Sequence, residues 1–443
     1  MAIIEAKNIK FKYPNSSKII LDDLSFKVED GEIFLIKGMT GSGKTTLLRM
    51  LKEEIRPAGE MSGDLSINGR VGFVFQNPDN QIVTEKVWSE LAFGLENMGL
   101  SNEEIRLRVA ELLEYFGMTT WYDKDVAELS GGMKQLLNLA AVMGTEPDIL
   151  VLDEATSMLD PISELKLLTF LRRINRDFNT TIVMCEHHVN RVKDMADRIV
   201  ELKDGKLIDN PVIDEEYAAN DVDRDAGGEV ILEVKNLYFR YTRESEDVLK
   251  DFSLEVRKGE IYALLGGNGT GKTTAIENIL GLLKPYKGKV KNKNVTAYLP
   301  QDIKLLINKE TVKEQLEVVF GSEEKMNEMA DFLLLADKME MHPYDLSGGE
   351  LQKLGLAIVL SRDPEVLILD EPTKGLDIEF KKEMAELLLK MKKDGKAILL
   401  VSHDIDFAKC VADRMGMLSI GEVVGESDTE AFLKNARFYR VNR

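Results

Sequence analysis

Hydrophobic and polar residues alternate along two early stretches of the chain, 3–13 and 21–29. A period of two predicts strands with one buried face, and the turn residues between them predict antiparallel pairing. Later stretches are apolar without interruption, as in 149–152 and 181–184. Such runs are typical of parallel strands buried on both faces. The pattern therefore predicts an α/β protein in which an antiparallel sheet accompanies a buried parallel sheet.

The pattern becomes helical from about residue 84 to 128. Ser101 and Glu104 have the spacing of a helix-capping box. Apolar residues then follow at the spacing of one helix face, namely Ile105, Val109, Leu112, Leu113 and Phe116. A shorter stretch of the same kind covers about 310–344. We expect a helical subdomain to be inserted at both places.

The pattern and its motifs occur twice. The spacing G-x-x-x-x-G-K-[ST] appears at 38–45 and again at 266–273. The flanks recur at the same offset, as 31–33 and 259–261 both read Gly-Glu-Ile. The sequence thus predicts a duplicated nucleotide-binding domain, with domains at 1–206 and 229–443 and an acidic linker at 207–228.

Each copy of the motif lies between a predicted strand and a predicted helix, which is the context of a phosphate-binding loop. Its backbone N–H groups and the helix dipole favour an anion. We expect Lys44 and Lys272 to contact the β- and γ-phosphates of ATP, and the hydroxyls of Thr45 and Thr273 to bind Mg²⁺. The predicted nucleotide-binding residues of the loops are Gly38, Met39, Thr40, Gly41, Ser42, Gly43, Lys44, Thr45 and Thr46, with Gly266, Gly267, Asn268, Gly269, Thr270, Gly271, Lys272, Thr273 and Thr274.

Composition narrows the class of protein. The chain has 443 residues, 44% hydrophobic and 30% charged, which is ordinary for a globular protein of two domains. No apolar run approaches the roughly 18 residues that cross a bilayer. The amino terminus does not resemble a signal peptide, and two cysteines form no disulfide framework, so cytosol is expected. A net charge of −19 without a dense basic run argues against a nucleic-acid partner.

Polar residues follow the buried strands in both halves. Asp-Glu pairs end two of these strands, at 153–154 and 370–371. Buried carboxylates are costly unless they serve a site. Asp153 and Asp370 are predicted to hold Mg²⁺ through water, and Glu154 and Glu371 to act as general bases. Two glutamines that end other strands, Gln76 and Gln301, are candidates to contact Mg²⁺ or the attacking water, or are solvated amides.

Three further pairs of residues are candidates for the site. Two Ser-Gly-Gly segments, 130–132 and 347–349, each precede a predicted helix and offer a second anion site at its N-terminus. His187 and His403 follow equivalent strands, and this pairing favours function over structure. Tyr13 and Tyr241 end the first strand of each half, where an aromatic ring either stacks on adenine or packs locally.

These motifs, in this order and twice over, resemble the nucleotide-binding domains of ABC ATPases. The resemblance implies that the two halves pack head to tail as a pseudo-dimer within one chain. Each ATP would then lie between the phosphate loop of one half and the Ser-Gly-Gly of the other. The resemblance also implies that His187 and His403 touch the γ-phosphate, that Asp160 and Asp377 lie at the interface, and that Tyr13 and Tyr241 stack on adenine. Ser130, Gly131, Gly132, Ser347, Gly348 and Gly349 would bind nucleotide.

A narrower resemblance follows Gln76. The segments 76–82 and 87–94, together with Glu186-His187, are similar to the ATPases of energy-coupling factor importers. This resemblance implies ATP-driven import of a vitamin, a vitamin precursor or a metal ion. It also implies integral membrane partners that bind after Gln76 and Gln301, and a peripheral position on the inner face of the membrane. The segment after Gln301 departs from the pattern, so the two grooves are expected to hold different helices.

Two departures concern the residue after Ser-Gly-Gly, where the family usually has glutamine. Here this residue is Met133 in one half and Glu350 in the other. We expect Met133 to lack the hydrogen bonds of glutamine, and Glu350 to bring negative charge near phosphate and slow its site. Both glutamates and both histidines are present, so two competent sites are predicted.

Two other classes of function are alternatives to an importer subunit. A soluble twin-ATPase translation factor that acts on the ribosome usually has a long charged linker, whereas this linker is short and acidic. A chromosome or DNA-repair ATPase requires large coiled-coil or zinc insertions, which this sequence lacks. The importer subunit is therefore the predicted function, and the translation factor is the alternative.

Overall fold

The computed structural model describes residues 2–14, 16, 18–157, 159–186, 189–211, 228–267, 269–374, 376 and 378–435, apart from the side chains of 190 and 191. The chain divides into two compact units, Met1–Glu216 and Tyr217–Arg443. The division falls in the predicted linker, of which residues 212–227 lie outside the described part. The predicted domain bounds at 206 and 229 stay predictions.

The first unit combines an antiparallel sheet with a mixed one. The three-stranded sheet has the order β2-β1-β4, and the six-stranded sheet has the order β5-β6-β7-β3-β8-β9, in which all pairs are parallel except β8 with β9. The elements are β1 (Ala2–Lys12), β2 (Leu21–Glu29), β3 (Ile33–Lys37), α1 (Lys44–Met50), β4 (Glu60–Ile67), β5 (Val71–Val74), α2 (Val87–Asn97), α3 (Asn102–Tyr115), α4 (Gly131–Gly144), β6 (Ile149–Asp153), α5 (Pro161–Phe178), β7 (Thr181–Cys185), α6 (Val189–Val192), β8 (Arg198–Lys203) and β9 (Lys206–Asp209).

The second unit repeats this topology. Its sheets have the orders β11-β10-β13 and β14-β15-β16-β12-β17-β18. The elements are β10 (Val230–Phe239), β11 (Leu249–Arg257), β12 (Ile261–Leu265), α7 (Lys272–Ile279), β13 (Lys287–Asn292), β14 (Thr296–Leu299), α8 (Val312–Phe320), α9 (Glu323–Phe332), α10 (Gly348–Leu360), β15 (Val366–Asp370), α11 (Ile378–Lys393), β16 (Ala397–Ser402), α12 (Ile405–Val411), β17 (Arg414–Ser419), β18 (Glu422–Asp428) and α13 (Thr429–Asn435).

The central strands are buried on both faces, as their apolar runs predict. In β3, Leu35 packs into a core shared with the helices, while the next residue, Ile36, packs into a core shared with the antiparallel sheet. Both side chains are fully buried. The alternating pattern of β1 buries Ile4, Ala6 and Phe11 in the core that contains Ile36, between the antiparallel sheet and the mixed sheet. The sequence prediction of a two-sided core is therefore confirmed in this half.

This topology brings the candidate residues to one edge of each mixed sheet. The carboxyl ends of neighbouring parallel strands lie together, and ligands of open α/β sheets bind there. In the first unit, β3 leads into the phosphate loop, β5 into Gln76, and β6 into Asp153 and Glu154. Within the described residues, no helix is both long and apolar enough to cross a membrane.

Candidate functional site

The first phosphate loop closes around its own lysine. The Nζ of Lys44 donates to the carbonyl oxygens of Gly38 at 2.8 Å and Met39 at 3.0 Å, and the side chain is buried. The residue before α1, Gly43, has φ of 103°, a conformation that side chains disfavour. A Cβ at this position would also lie 2.9 Å from the Cγ2 of Ile20. The loop thus depends on glycine for its shape.

The second phosphate loop has the same geometry. Lys272 Nζ donates to the carbonyl oxygens of Gly266 at 2.7 Å and Gly267 at 3.0 Å. Gly271, before α7, has φ of 100°. Asn268 lies outside the described residues. Because a loop of this shape surrounds a lysine at the N-terminus of a helix in both halves, each fits the phosphates of a nucleotide.

A hydroxyl and a carboxylate meet beside each loop. Thr45 Oγ1 donates to Asp153 Oδ1 at 3.0 Å, and Thr273 Oγ1 donates to Asp370 Oδ2 at 3.2 Å. Within the described part of the chain, no group of three or more His, Cys, Asp or Glu side chains could hold a metal. Mg²⁺ in nucleotide sites needs only one or two protein ligands, because phosphate and water complete its octahedron. The two residues in each half fit that ion.

Burial weakens the acidity of these two aspartates. Desolvation raises the pKa of Asp153, and desolvation together with the neighbouring charge of Glu371 raises the pKa of Asp370 to about 6. A bound cation would favour the ionised carboxylate instead. Each site is therefore arranged so that a proton and a cation compete for the same aspartate.

Both candidate general bases have an unusual backbone. Glu154 has φ of 47° and Glu371 has φ of 51°, in the left-handed region. Such a conformation in a non-glycine residue costs about 1–3 kcal/mol and often marks a functional site. It turns each carboxylate toward the phosphate-loop lysine. Lys44 Nζ lies 3.4 Å from Glu154 Oε1, and Lys272 Nζ lies 3.4 Å from Glu371 Oε1.

His403 lies directly beside the second glutamate. Its Nδ1 is 2.8 Å from Glu371 Oε2, and its backbone N–H donates to the same oxygen at 3.3 Å. Burial favours the neutral form of Glu371, but hydrogen bonding and charge from His403, together with Lys272, outweigh it and lower the pKa. The second half thus unites Lys272, Glu371 and His403. His187 and His188, at the corresponding place of the first half, lie outside the described residues.

The two glutamines differ. Gln76 Nε2 donates to Glu154 Oε2 at 3.1 Å and to Ser157 Oγ at 3.2 Å, so this amide belongs to the site. Gln301 is exposed, and its side chain makes no hydrogen bond to the described residues around Glu371. Contact of either glutamine with Mg²⁺ or the attacking water stays a prediction.

The tyrosines occupy matching places. The hydroxyl of Tyr13 lies 3.0 Å from Thr46 Oγ1, and that of Tyr241 lies 3.0 Å from Thr274 Oγ1. Both rings are exposed, and each meets the preceding phenylalanine edge-on. An exposed aromatic ring is thus tied to the helix after each phosphate loop. Stacking on adenine stays a prediction.

The Ser-Gly-Gly segments begin α4 and α10. Ser130 and Ser347 accept hydrogen bonds from backbone N–H groups three residues ahead, at 3.4 and 3.3 Å. A Cβ on Gly132 would lie 2.4 Å from Ser163 Oγ, and one on Gly349 would lie 2.7 Å from Phe380 Cδ2. The second glycine of each segment therefore permits a close approach of α5 or α11. Asp160 caps α5, whereas Asp377 lies outside the described residues.

Glu350 is held away from open solvent. Its carboxylate accepts from the backbone N–H of Ser347 at 2.8 Å, and Lys338 Nζ lies 3.3 Å away. Burial opposes ionisation of Glu350, but these hydrogen bonds and the charge of Lys338 lower its pKa. The carboxylate is thus ionised, and the helix terminus and the lysine offset its charge. A slower site stays a prediction, though the structure supplies a compensation that the sequence did not suggest.

One buried residue was not anticipated as part of the site's surroundings. Glu186 directly follows β7 and is 2% exposed, and its Oε2 accepts from Thr156 Oγ1 at 2.7 Å. Burial raises its pKa to about 8. The corresponding residue of the second half is Ser402, which donates to Glu371 Oε2 at 3.2 Å. A glutamate at the end of an apolar strand was the available sequence signal.

A family model described as ABC transporter matches residues 21–157 and 249–374, more than half of the chain. The chain belongs to the ABC transporter ATPase family. A candidate ABC transporter ATP-binding protein of Bacillus thuringiensis subsp. konkukian is 34% identical, with 100% of this chain and 95% of the relative covered. One from Methanosarcina mazei is 31% identical over 96% of this ABC ATPase and 95% of the relative. Family membership identifies the chain as an ATP-hydrolysing enzyme.

Solved structures of two-domain proteins show the same fold. A chain in the complex of archaeal ribosomal stalk protein aP1 with archaeal ribosome recycling factor aABCE1 has a TM-score of 0.72 and 22% identity, and covers 98% of this ABC ATPase and 92% of that chain. A structure described as RNase-L Inhibitor has the same TM-score and identity. At such identity the likeness supports the fold alone. It confirms the prediction of two tandem phosphate-loop domains.

Proposed function

We propose that this ABC ATPase is the energising subunit of a membrane importer of the energy-coupling factor type. Two ATP molecules, each shared between the phosphate loop of one half and the Ser-Gly-Gly of the other, would draw the halves together. Hydrolysis would let them separate. Integral membrane subunits, bound at the cytoplasmic face, would carry the transported vitamin, vitamin precursor or metal ion.

The observation that carries this proposal concerns the segment after Gln76. Its backbone is hydrogen-bonded to side chains of the same segment, and apolar side chains are exposed on its surface. Gln81 accepts from the backbone N–H of Phe75 at 3.1 Å and donates to the carbonyl of Phe73 at 3.0 Å. The buried carboxylate of Glu90 accepts from the backbone N–H groups of Val83 at 3.1 Å and Thr84 at 2.8 Å. The backbone N–H groups of Phe75, Val83 and Thr84 are thus hydrogen-bonded within this chain.

Apolar side chains lie on the outer side of the same segment. Val83 is 65% exposed, Trp88 39% and Tyr122 45%, and the rings of Trp88 and Tyr122 stack with centroids 6.4 Å apart. Aromatic residues on a preorganised surface are typical anchors of protein interfaces. A helix of a membrane subunit that lays apolar residues on this surface is the occupant that we propose.

The second half offers a different surface at the corresponding place. Gln315, in the place of Glu90, accepts from the backbone N–H of Asn308 at 2.9 Å, so the segment is again fixed. Lys313 takes the place of Trp88, and Leu305 and Tyr344 are exposed. These differences support the proposal that each half grips its own helix.

Chemically, Glu154 and Glu371 would orient and deprotonate the attacking water, and His403 would contact the γ-phosphate. Lys44 and Lys272 would neutralise phosphate charge. Mg²⁺ held by Thr45 with Asp153, and by Thr273 with Asp370, would polarise the phosphates. The left-handed backbone of both glutamates supports this assignment, because strain of that kind persists where the carboxylate must be aimed.

The test is recovery of partners from detergent-solubilised membranes of the source cell with the tagged chain. We expect an integral membrane protein to be recovered, and Trp88→Ala combined with Tyr122→Ala to reduce its amount. Leu107→Ala is the control, because Leu107 is an exposed apolar residue on α3 away from this segment. Recovery of no integral membrane protein would contradict the proposal.

One observation favours the alternative of a ribosome-associated factor. Strand β13 carries Lys287, Lys289 and Lys291, all exposed, at the edge of its sheet. Lys235 lies directly opposite Lys289, whereas its counterpart Lys7 lies opposite Asp64. Glu233 pairs with Lys235 and Lys291, but four lysines around one carboxylate leave a net positive surface that suits an anionic partner. The alternating lysines of this strand form no dense basic run in the sequence. Edge lysines also prevent strand pairing between molecules.

Co-sedimentation with ribosomes separates the two functions. An importer subunit should stay in the supernatant at physiological salt, with and without ATP. A translation factor should sediment with ribosomes, and Lys287→Glu with Lys289→Glu should release it. If the chain sediments and recovers no membrane protein, the importer proposal is wrong and the alternative replaces it.

A further inference from the structure

A buried ion pair includes the residue that follows the candidate histidine of the second half. Lys381 Nζ on α11 lies 2.6 Å from Asp404 Oδ2, the residue just before α12. The Lys381 side chain is 6% exposed and that of Asp404 is 13% exposed. Buried ion pairs contribute little to stability relative to apolar residues of similar size. Their better-attested use is to fix one conformation among several.

Asp404 makes several hydrogen bonds to residues next to it in the sequence. Its other carboxylate oxygen accepts from the backbone N–H of Phe407 at 3.1 Å and caps α12. Its own N–H donates to Ser402 Oγ at 3.0 Å. Ser402 Oγ in turn donates to Glu371 Oε2 at 3.2 Å. The residue between Ser402 and Asp404 is His403, whose Nδ1 lies 2.8 Å from that same glutamate oxygen.

The duplicated chain provides an internal comparison. Lys381 comes four residues after Asp377, and the residue four after Asp160 is Glu164. Asp404 follows His403, and the residue after His187 is His188. The charge at the lysine position is thus reversed in the first half, and the acid at the second position is replaced by a base. Glu164 is itself buried. The residues at both positions thus differ together between the two halves.

We propose that Lys381 is a positioning residue for ATP hydrolysis in the second half. It holds Asp404, and Asp404 holds the backbone of His403 so that the imidazole faces Glu371 and the γ-phosphate. In this proposal Lys381 acts through Asp404 and His403. This inference rests on the proposed role of His403 and on the ATPase activity of the family, and is independent of the membrane partner.

The competing explanation is that Lys381 only fastens α12 to α11, which pack against each other. In that case its loss would lower stability and affect hydrolysis whether or not His403 is present. A positioning role makes a different prediction, because a residue that acts through His403 has nothing left to act on once the imidazole is removed.

The experiment measures single-turnover phosphate release by the full chain carrying Glu154→Gln, so that the second half supplies the measured hydrolysis. We expect Lys381→Met to slow release roughly 10- to 100-fold, with the ATP concentration for half-saturation within about twofold. Lys381→Arg should recover much of the rate. Lys382→Met is the matched control, because Lys382 is the next residue on α11 and is exposed. Melting temperature is recorded for every variant.

The deciding arm repeats the comparison in a His403→Ala background. We expect Lys381→Met to cause no further loss there. A further loss of the same factor, or a rate for Lys381→Met equal to that of Lys382→Met, would overturn the inference while leaving His403 in its role. A His403→Ala variant with unchanged hydrolysis would overturn both together.

Discussion

Lys272 Nζ lies 3.4 Å from Glu371 Oε1, so the phosphate-loop lysine and the candidate base are in contact. The same lysine also donates to two loop carbonyls. An incoming phosphate would therefore exchange these partners for its own oxygens. The site is preorganised for an anion, and the lysine needs no large movement to meet it.

Removal of this lysine should weaken ATP binding. We expect Lys272→Met to lower affinity at the second site about 10- to 100-fold, because a charged hydrogen bond contributes about 1.5–3 kcal/mol. Titration with a fluorescent ATP analogue measures the change. Lys289→Met, on an exposed edge strand, should bind the analogue as the unmodified chain does. Equal affinities for both variants would contradict the placement of phosphate.

Substitution of the candidate bases should separate binding from hydrolysis. Glu154→Gln and Glu371→Gln keep the shape of the side chain but remove the proton acceptor, so we expect kcat to fall about 10²- to 10⁴-fold at the altered site while ATP still binds. Steady-state phosphate release and equilibrium binding report the two quantities. Glu128→Gln, at an exposed position, serves as the control. If neither substitution changes phosphate release, the assignment of both glutamates is wrong.

The buried carboxyl of Glu186 should make stability depend on pH. Its pKa is raised from 4.5 to about 8, so between these values the folded state keeps a proton that the unfolded state has lost. Stability from this group therefore falls as pH rises through that window. Glu186→Gln should raise the free energy of unfolding at pH 7 by up to about 3 kcal/mol and flatten the pH dependence. Denaturant unfolding of both proteins at pH 5 and 8 measures the change. If the free energy of unfolding of the variant depends on pH as strongly as that of the unmodified chain, the prediction is wrong.

Gly349 in the second half and Gly131 in the first half should respond differently to alanine. Gly349→Ala places a Cβ 2.7 Å from the ring of Phe380, so we expect a loss of about 1–3 kcal/mol in the free energy of unfolding. In the first half, a Cβ on Gly131 meets nothing within 4 Å. Gly131→Ala should therefore be tolerated in thermal unfolding. Similar melting temperatures for both variants would show that α11 can move away from α10.

Much of the fold could be predicted because the apolar periods differ so clearly. Alternation in β1 and the unbroken runs of β6 and β15 correspond to one-sided and two-sided burial. The shape of the loops around Lys44 and Lys272 also follows from the motif, because the spacing of the glycines permits the curl of the loop. These features depend on local sequence, which is why they could be anticipated.

Other features depend on contacts that periodicity does not encode. The different environments of Gln76, which donates to Glu154 and Ser157, and of Gln301, which is exposed, are of this kind. The compensation of Glu350 by Lys338 joins residues on separate elements. The neutral form of Glu186 follows from complete burial, which sequence did not reveal for a glutamate.

The phosphate loops of the two halves agree to about a tenth of an ångström in their lysine contacts, while the surfaces around Trp88 and Lys313 differ in size and charge. An inhibitor that mimics the nucleotide would consequently bind and inhibit both halves alike. A short peptide or macrocycle that binds the indole of Trp88 would instead inhibit the first half alone. Such a compound would allow the contribution of each half to be measured in the unmodified protein.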